Sequence, residues 1–290
     1  MYPVEFDYHR ARTVRDAQQL LQQNPGAKLL AGGHSLVPLL KLRLAAPSAV
    51  VDIGRIPELR GIAQEGNAIR IGSLTTHAEL AASTELKKSA AALAEAAAVV
   101  GDPAVRNRGT IGGNVAHADP ASDLPAVLVA LAATFVALGP NGERTIGADD
   151  FFTGIMTTAL EDREILLAVR VPIAGAGQGS AYVKFSHPAS RYAVVGAAAR
   201  VTIGNGICTG ARVALGGLLP HARRVPSVEQ ALVGGSADAA RIAKAAAAVA
   251  ADLGGDVTGD LYASAEYRAA VAPVYIKRAV AAAVARAGLA

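Results

Sequence analysis

Apolar residues recur along this chain with two different periods. After Thr13 they fall at Ala17, Leu20 and Leu21, the spacing of one helix face, with Thr13 as a candidate N-cap and Asp16 three residues on. Asn24-Pro25-Gly26 ends that helix. Short apolar runs then read as strands at 28–31, VVDIG (50–54), IRIGSLTT (69–76), TFVALG (134–139) and EILLAVRVP (164–172). LVPLLKLRL (36–44) reads as a helix, as does SAAALAEAAAVVG (89–101), whose alanines have high helix propensity. Between this helix and the next apolar segment lies DPAVRNRGTIGGNVAHADPASDLP (102–125), rich in Gly, Asn, Asp and Pro. Its composition predicts a long irregular connection, and such segments are usually functional.

GAGQG (175–179) is the best candidate linker, and the pattern changes after it. YVKFSH (182–187), YAVVGAAARVTIG (192–204) and ICTGARVALGG (207–217) predict antiparallel strands, the last two joined at Gly204-Asn205-Gly206. Two helical stretches close the chain, 236–253 and 264–288, the second expected to break at Pro273. The length of 290 residues suits about two domains. The expected division is 1–174, itself split near residue 55, and 178–288.

Composition narrows the chemistry. The single cysteine, Cys208, excludes an internal disulfide, a cysteine-ligated iron–sulfur cluster and a multi-cysteine zinc site. Six histidines show no metal-binding spacing, and the net charge of +4 is spread without a basic run, so nucleic acid is not an expected partner. The charged N-terminus is unlike a signal peptide. The apolar run at 124–138 is too short for a membrane span, and a cytoplasmic protein is expected.

Two glycine pairs, AGGHS (31–35) and TIGGN (110–114), stand out. Glycine lets a ligand approach the backbone closely, and successive N–H groups can cradle an anion, so two such segments could clamp a pyrophosphate. Each could equally be a tight turn. Neither matches the Rossmann or phosphate-loop patterns. Asp123 could cap the following helix, a task open also to Ser122, or accept hydrogen bonds from a ribose. Arg106 and Arg108 could face phosphate or flavin oxygens, or be solvated charges.

AGGHSLVPLLKLRL (31–44) together with RNRGTIGGNVAHADPASDLPA (106–126) closely resembles the FAD-binding medium subunit of the molybdenum hydroxylases, the group of xanthine dehydrogenase and aerobic carbon monoxide dehydrogenase. ASRYAVVGAAA (189–199) and SAEYRAAVAPVYIKRA (264–279) extend the resemblance over the whole chain. It implies an α+β protein with a vanillyl-alcohol-oxidase-type (PCMH-type) FAD domain and a smaller α+β C-terminal domain. It places the FAD pyrophosphate on Ala31, Gly32, Gly33, His34 and Ser35 and on Thr110, Ile111, Gly112, Gly113 and Asn114. It assigns the ribose or phosphate side to Asp123, and the flavin ring to Leu166 and Tyr192.

The implied activity is electron relay, with no side chain acting as nucleophile or general base. A large partner subunit would oxidise substrate at a molybdenum–cytopterin centre, a small one would carry two [2Fe–2S] clusters, and FAD here would pass electrons to an external acceptor. A dimer of heterotrimers is implied, in the cytoplasm or peripheral to the inner membrane through the complex. His34, where many relatives acting on N-heterocycles or aldehydes carry Gln, ranks carbon monoxide narrowly first. The alternatives are an aldehyde or N-heterocycle hydroxylase, a flavin-free assembly subunit and a stand-alone NAD(P)H:flavin oxidoreductase.

Overall fold

The computed structural model describes residues 2–288. Its first layer is a parallel sheet of order β1-β3-β2, made from β1 (Asp7–Arg10), β2 (Lys28–Leu30) and β3 (Ala49–Asp52). Parallel neighbours need crossovers, supplied by α1 (Val14–Gln23) and α2 (Leu36–Lys41). The predicted cap of α1 is present: the Asp16 amide donates to Thr13 Oγ1 at 3.0 Å.

Next along the chain come β4 (Ile62–Glu65), β5 (Ala68–Gly72), α3 (His77–Ala82), α4 (Thr84–Ser89) and α5 (Ala91–Val99). They are followed by α6 (Pro103–Arg108), α7 (Ile111–His117) and α8 (Asp123–Ala130). The stretch 102–125 is therefore helical over much of its length, not an irregular connection. Its turn-forming residues are caps: Asp102 accepts from the Val105 amide at 2.8 Å, Thr110 from Gly113, and Ala118 ends α7 in the left-handed region. β6 (Thr134–Gly139), β7 (Gly142–Gly147), α9 (Ala148–Phe151), the small ribbon β8 (Phe152–Gly154) and β9 (Thr157–Thr158), and β10 (Ile165–Pro172) complete this part. Its antiparallel sheet has the order β4-β5-β10-β6-β7.

The chain crosses at Gly175–Gly179 into β11 (Gln178–Ser186), β12 (Ala193–Gly204), β13 (Ile207–Gly216) and β14 (Arg223–Arg224), an antiparallel meander. The turn at Asn205-Gly206 joins β12 to β13 with positive φ at both residues, as the sequence predicted. Helices α10 (Pro226–Leu232), α11 (Ala239–Ala247), α12 (Ala250–Leu253) and α13 (Ala265–Ala287) follow. Pro273 does not break α13. Its stripe of Ala272, Ile276, Ala279, Val280 and Ala283 is buried on the meander, and that packing outweighs the single hydrogen bond proline removes.

The middle and last sheets share one core. Helices α5 and α8 lie between them, against Ile69, Ile71, Phe135 and Val169 on one side and Tyr182, Ala198 and Ala214 on the other. A helix enclosed on both sides is apolar all round, which explains why both lack a polar face and why α5 is built largely from alanine. No helix of the described residues is long and apolar enough to cross a membrane.

Candidate cofactor site

The two glycine pairs meet in space. The chain leaves β2 through Ala31 to Ser35, and the backbone there passes directly over Arg108 and Gly109. A Cβ on Gly32 would lie 2.1 Å from the Arg108 carbonyl oxygen, so only glycine permits this approach. Gly33 has φ +79°, a conformation that also favours glycine. In α7, a Cβ on Gly112 would fall 2.4 Å from Cβ of Ser73, at the end of β5. The second pair thus lets α7 press against the middle sheet.

The two segments contribute differently. Ile111, Gly112, Gly113 and Asn114 spend their amides on protein acceptors: Thr75 O (2.9 Å), Ser73 O (2.8 Å), Thr110 Oγ1 (3.1 Å) and Thr110 O (3.0 Å). By contrast, the amides of Gly32, Gly33, His34 and Ser35 donate to no acceptor among the described residues. They run into the first turn of α2, which opens with the Val37 amide on the Gly33 carbonyl at 2.9 Å, and free donors at a glycine-rich helix start can cradle an anion. The first segment is the donor, whereas the second is a close-packed wall.

Both border one cleft of about 620 Å³, within the range of small-molecule sites. Its wall draws on β2, on β10 and on the Ser190–Tyr192 turn between β11 and β12. Of the residues singled out from the sequence, Ala31, Gly32, Gly33, His34, Ser35, Thr110, Gly112, Gly113, Asn114, Asp123, Leu166 and Tyr192 line it. Ile111 does not: its side chain is fully buried in the core. Nor do the two arginines face it. Arg106 donates to the carbonyls of Val100 and Gly101, and Arg108 turns to the other side of the first glycine loop.

Ser122 occupies the N-cap position of α8 but makes no capping bond, and its hydroxyl donates instead to Asn114 Oδ1 at 2.9 Å. Asp123 is buried in the first turn, accepting from Tyr182 Oη at 2.6 Å and from Lys184 Nζ at 2.9 Å. Burial outweighs those two partners and lifts its carboxyl from 3.8 to about 6. The Tyr182 hydroxyl is held well above its ordinary value by burial and by that carboxylate. Lys184 Nζ also donates to the carbonyls of Val99 (2.8 Å) and Arg191 (2.7 Å), tying the Ser190–Tyr192 turn to the cleft. Tyr182 and Lys184 share a face of β11 through the two-residue strand period, the one signal that could have found them. Half-exposed Tyr192 sits in the cleft wall, its hydroxyl raised by burial and then by Asp119.

Two further residues escaped the sequence reading. Ser73 Oγ and His77 Nδ1 belong to cleft-lining residues that are 3% exposed, and neither atom has a partner among the described residues. Burial, followed by His34 and Arg106, lowers His77 from 6.5 to about 4, so its imidazole is neutral at physiological pH. Unpartnered buried polar atoms are costly, and beside a cleft they fit a group that supplies the missing bonds.

Residues 4–174 match the family described as FAD binding domain in molybdopterin dehydrogenase, and residues 180–283 match the CO dehydrogenase flavoprotein C-terminal domain. The chain belongs to this flavoprotein family. Within the family, it is 42% identical over 99% of both chains to the carbon monoxide dehydrogenase medium chain of Hydrogenophaga pseudoflava. It is 40% identical to the 6-hydroxypseudooxynicotine dehydrogenase complex subunit alpha of Paenarthrobacter nicotinovorans, over 99% of this chain and 97% of that one. A solved structure of the Hydrogenophaga pseudoflava carbon monoxide dehydrogenase superposes with a TM-score of 0.94, at 44% identity and 99% coverage of each chain. For a flavoprotein of this family, the free amides, the glycine-lined approach and the orphaned Ser73 and His77 atoms fit FAD.

Proposed function

We propose that this chain is the FAD-carrying electron-transfer subunit of a molybdenum-containing carbon monoxide dehydrogenase. The observation that carries the reading is the run of four unbonded amides at Gly32–Ser35, set in a cleft of about 620 Å³ that both glycine pairs line. These amides would hold the pyrophosphate, with Gly112, Gly113, Thr110 and Asn114 as the opposing wall. Ser73 and His77 would each gain a hydrogen bond. The buried Asp123–Lys184–Tyr182 set would fix the ribose or phosphate side, and Leu166 and Tyr192 would bracket the ring.

When bound there, FAD supplies redox chemistry, accepting and releasing electrons singly or in pairs. The protein's part is to bind, orient and exclude water. No nucleophile or general base is needed, since substrate oxidation would belong to a large molybdenum-binding partner and electrons would arrive from [2Fe–2S] clusters of a small one. The chain would assemble with both as a dimer of heterotrimers. Residues 1–174 would carry the flavin, and residues 178–288 would close the cleft through Lys184 and Tyr192.

His34 in the first glycine loop and the carbon monoxide dehydrogenase relative support carbon monoxide as the substrate of the complex, ahead of aldehydes or N-heterocycles. The test is anaerobic mixing of the assembled, flavin-loaded complex with carbon monoxide, an aldehyde or an N-heterocycle while following the visible flavin band. Bleaching by carbon monoxide alone supports the reading. Bleaching only by one of the others transfers the chain to a hydroxylase. A fully assembled complex without flavin would make it an assembly subunit, and bleaching of the isolated chain by NAD(P)H would make it a flavin oxidoreductase.

A further inference from the structure

The first glycine loop has a second side. Behind it lies a separate cleft of about 380 Å³, walled by Arg10, Arg55, Arg60 and Arg108 and floored by the backbone of Gly32, Gly33 and Gly54. Among the described residues Asp52 is the sole carboxylate in its wall, and its charge is already engaged. It accepts from Tyr8 Oη at 2.6 Å and from the Gly54 amide at 2.8 Å, and lies 3.6 Å from Arg10 Nε. Arg60 donates one bond to the Gly54 carbonyl at 2.9 Å. The Arg55 and Arg108 guanidiniums have no hydrogen-bond or ion-pair partner among the described residues.

These arginines reach the cleft from three separate parts of the chain: Arg10 from β1, Arg55 and Arg60 from the segment after β3, and Arg108 from the end of α6. All four are exposed, so water screens their mutual repulsion, but together they leave the concavity positively charged and attractive to an anion. Guanidinium forks match phosphate oxygens in pairs. Glycine backbone in the wall admits a compact group closely, with Leu30, Val37 and Leu74 as the apolar part of the lining.

We propose that this cleft is a second anion site, distinct from the flavin cleft, which takes a small molecule bearing one or more phosphate groups. It goes beyond the electron-relay reading and rests on it only in taking the neighbouring cleft to hold the flavin. The site shares a wall, Ala31 to Gly33, with the flavin cleft, while its arginines lie outside that cleft.

The test is isothermal titration of the assembled, flavin-loaded complex with inorganic pyrophosphate and with ADP, comparing wild type with Arg55→Gln and with Arg55→Gln/Arg108→Gln. The expected result is one binding event per copy of this chain, weakened by salt and by about tenfold for each arginine removed, with flavin content unchanged. ADP binding more tightly than pyrophosphate would indicate a nucleotide, and the reverse a simple phosphate ester, both supporting the site. Three results would overturn it: no binding to the loaded complex, binding indifferent to both substitutions, or binding only after flavin removal, which would be occupation of the flavin cleft. Binding to the isolated full chain that vanishes in the complex would also overturn it, by assigning the arginines to a partner subunit.

Discussion

Gly32→Ala should damage the cofactor cleft more than any other single methyl group added to the two glycine pairs. The new Cβ would sit 2.1 Å from the Arg108 oxygen, 2.8 Å from its carbonyl carbon and 3.0 Å from Gly109 Cα. All three are backbone atoms, so no side chain can swing aside. Restoring ordinary contact requires the strands of chain to part by about 1 Å. Overpacking of this kind costs about 1–3 kcal/mol of stability. The displacement also re-aims the free amides of Gly32 to Ser35. Losing two charge-assisted hydrogen bonds there amounts to about 3 kcal/mol, or more than a hundredfold in flavin affinity.

Gly113→Ala is the internal control. Its Cβ would meet only Thr110 Oγ1 at 3.0 Å and Ala31 Cβ at 3.9 Å, and alanine is favoured over glycine by about 0.5–1 kcal/mol within a helix. Its folding stability should stay near wild type. The assay is flavin released per chain from the purified complex, with thermal melting of the same samples. Full flavin content and an unchanged melting temperature in Gly32→Ala would refute the close approach on which the cleft depends.

Three more outcomes follow from buried polar groups. Ser73→Ala removes a hydroxyl that has no partner, so the flavin-free protein should be as stable as wild type or slightly more so. Flavin dissociation measured by fluorescence should nonetheless become about three- to tenfold more favourable. Lys184→Met strands the Asp123 carboxylate and should cost about 3–5 kcal/mol in urea unfolding. Asp123 has a raised carboxyl, whose contribution is present below 3.8 and lost as pH rises through about 6, so the deficit should shrink in mild acid. His77 has the opposite sign: its depressed value gives stability present above 6.5 and lost as pH falls through about 4. His77→Asn should therefore flatten the loss of stability across that window, and equal slopes in both proteins would contradict the burial argument.

Much of this architecture is legible in the sequence where one face of an element is strongly apolar. β6, β10, β12 and β13 lie close to their apolar runs, and Asn205-Gly206 marks its hairpin. β1, β4 and β7 are mostly exposed strands, with little apolar alternation to reveal them. The 102–125 stretch reads as irregular because its helices are short, so caps and turns recur every few residues and fill it with Gly, Asn, Asp and Pro. Pro273 misleads for a different reason, since tertiary packing overrides a local rule. At the site, the resemblance leads to the glycine pairs, Asp123, Leu166 and Tyr192. It cannot distinguish the free amides of Gly32–Ser35 from the satisfied ones of Ile111–Asn114, because that difference lies in which carbonyls the backbone meets. Ser73 and His77 are ordinary residues in sequence, and only their burial without partners singles them out.

The most direct test of the account is the flavin stoichiometry of the purified complex, taken from its visible spectrum and from FAD released on denaturation. The account predicts about one FAD per copy of this chain in the wild type and its loss in Gly32→Ala. A correctly folded and assembled wild-type complex without flavin would contradict the assignment of the cleft.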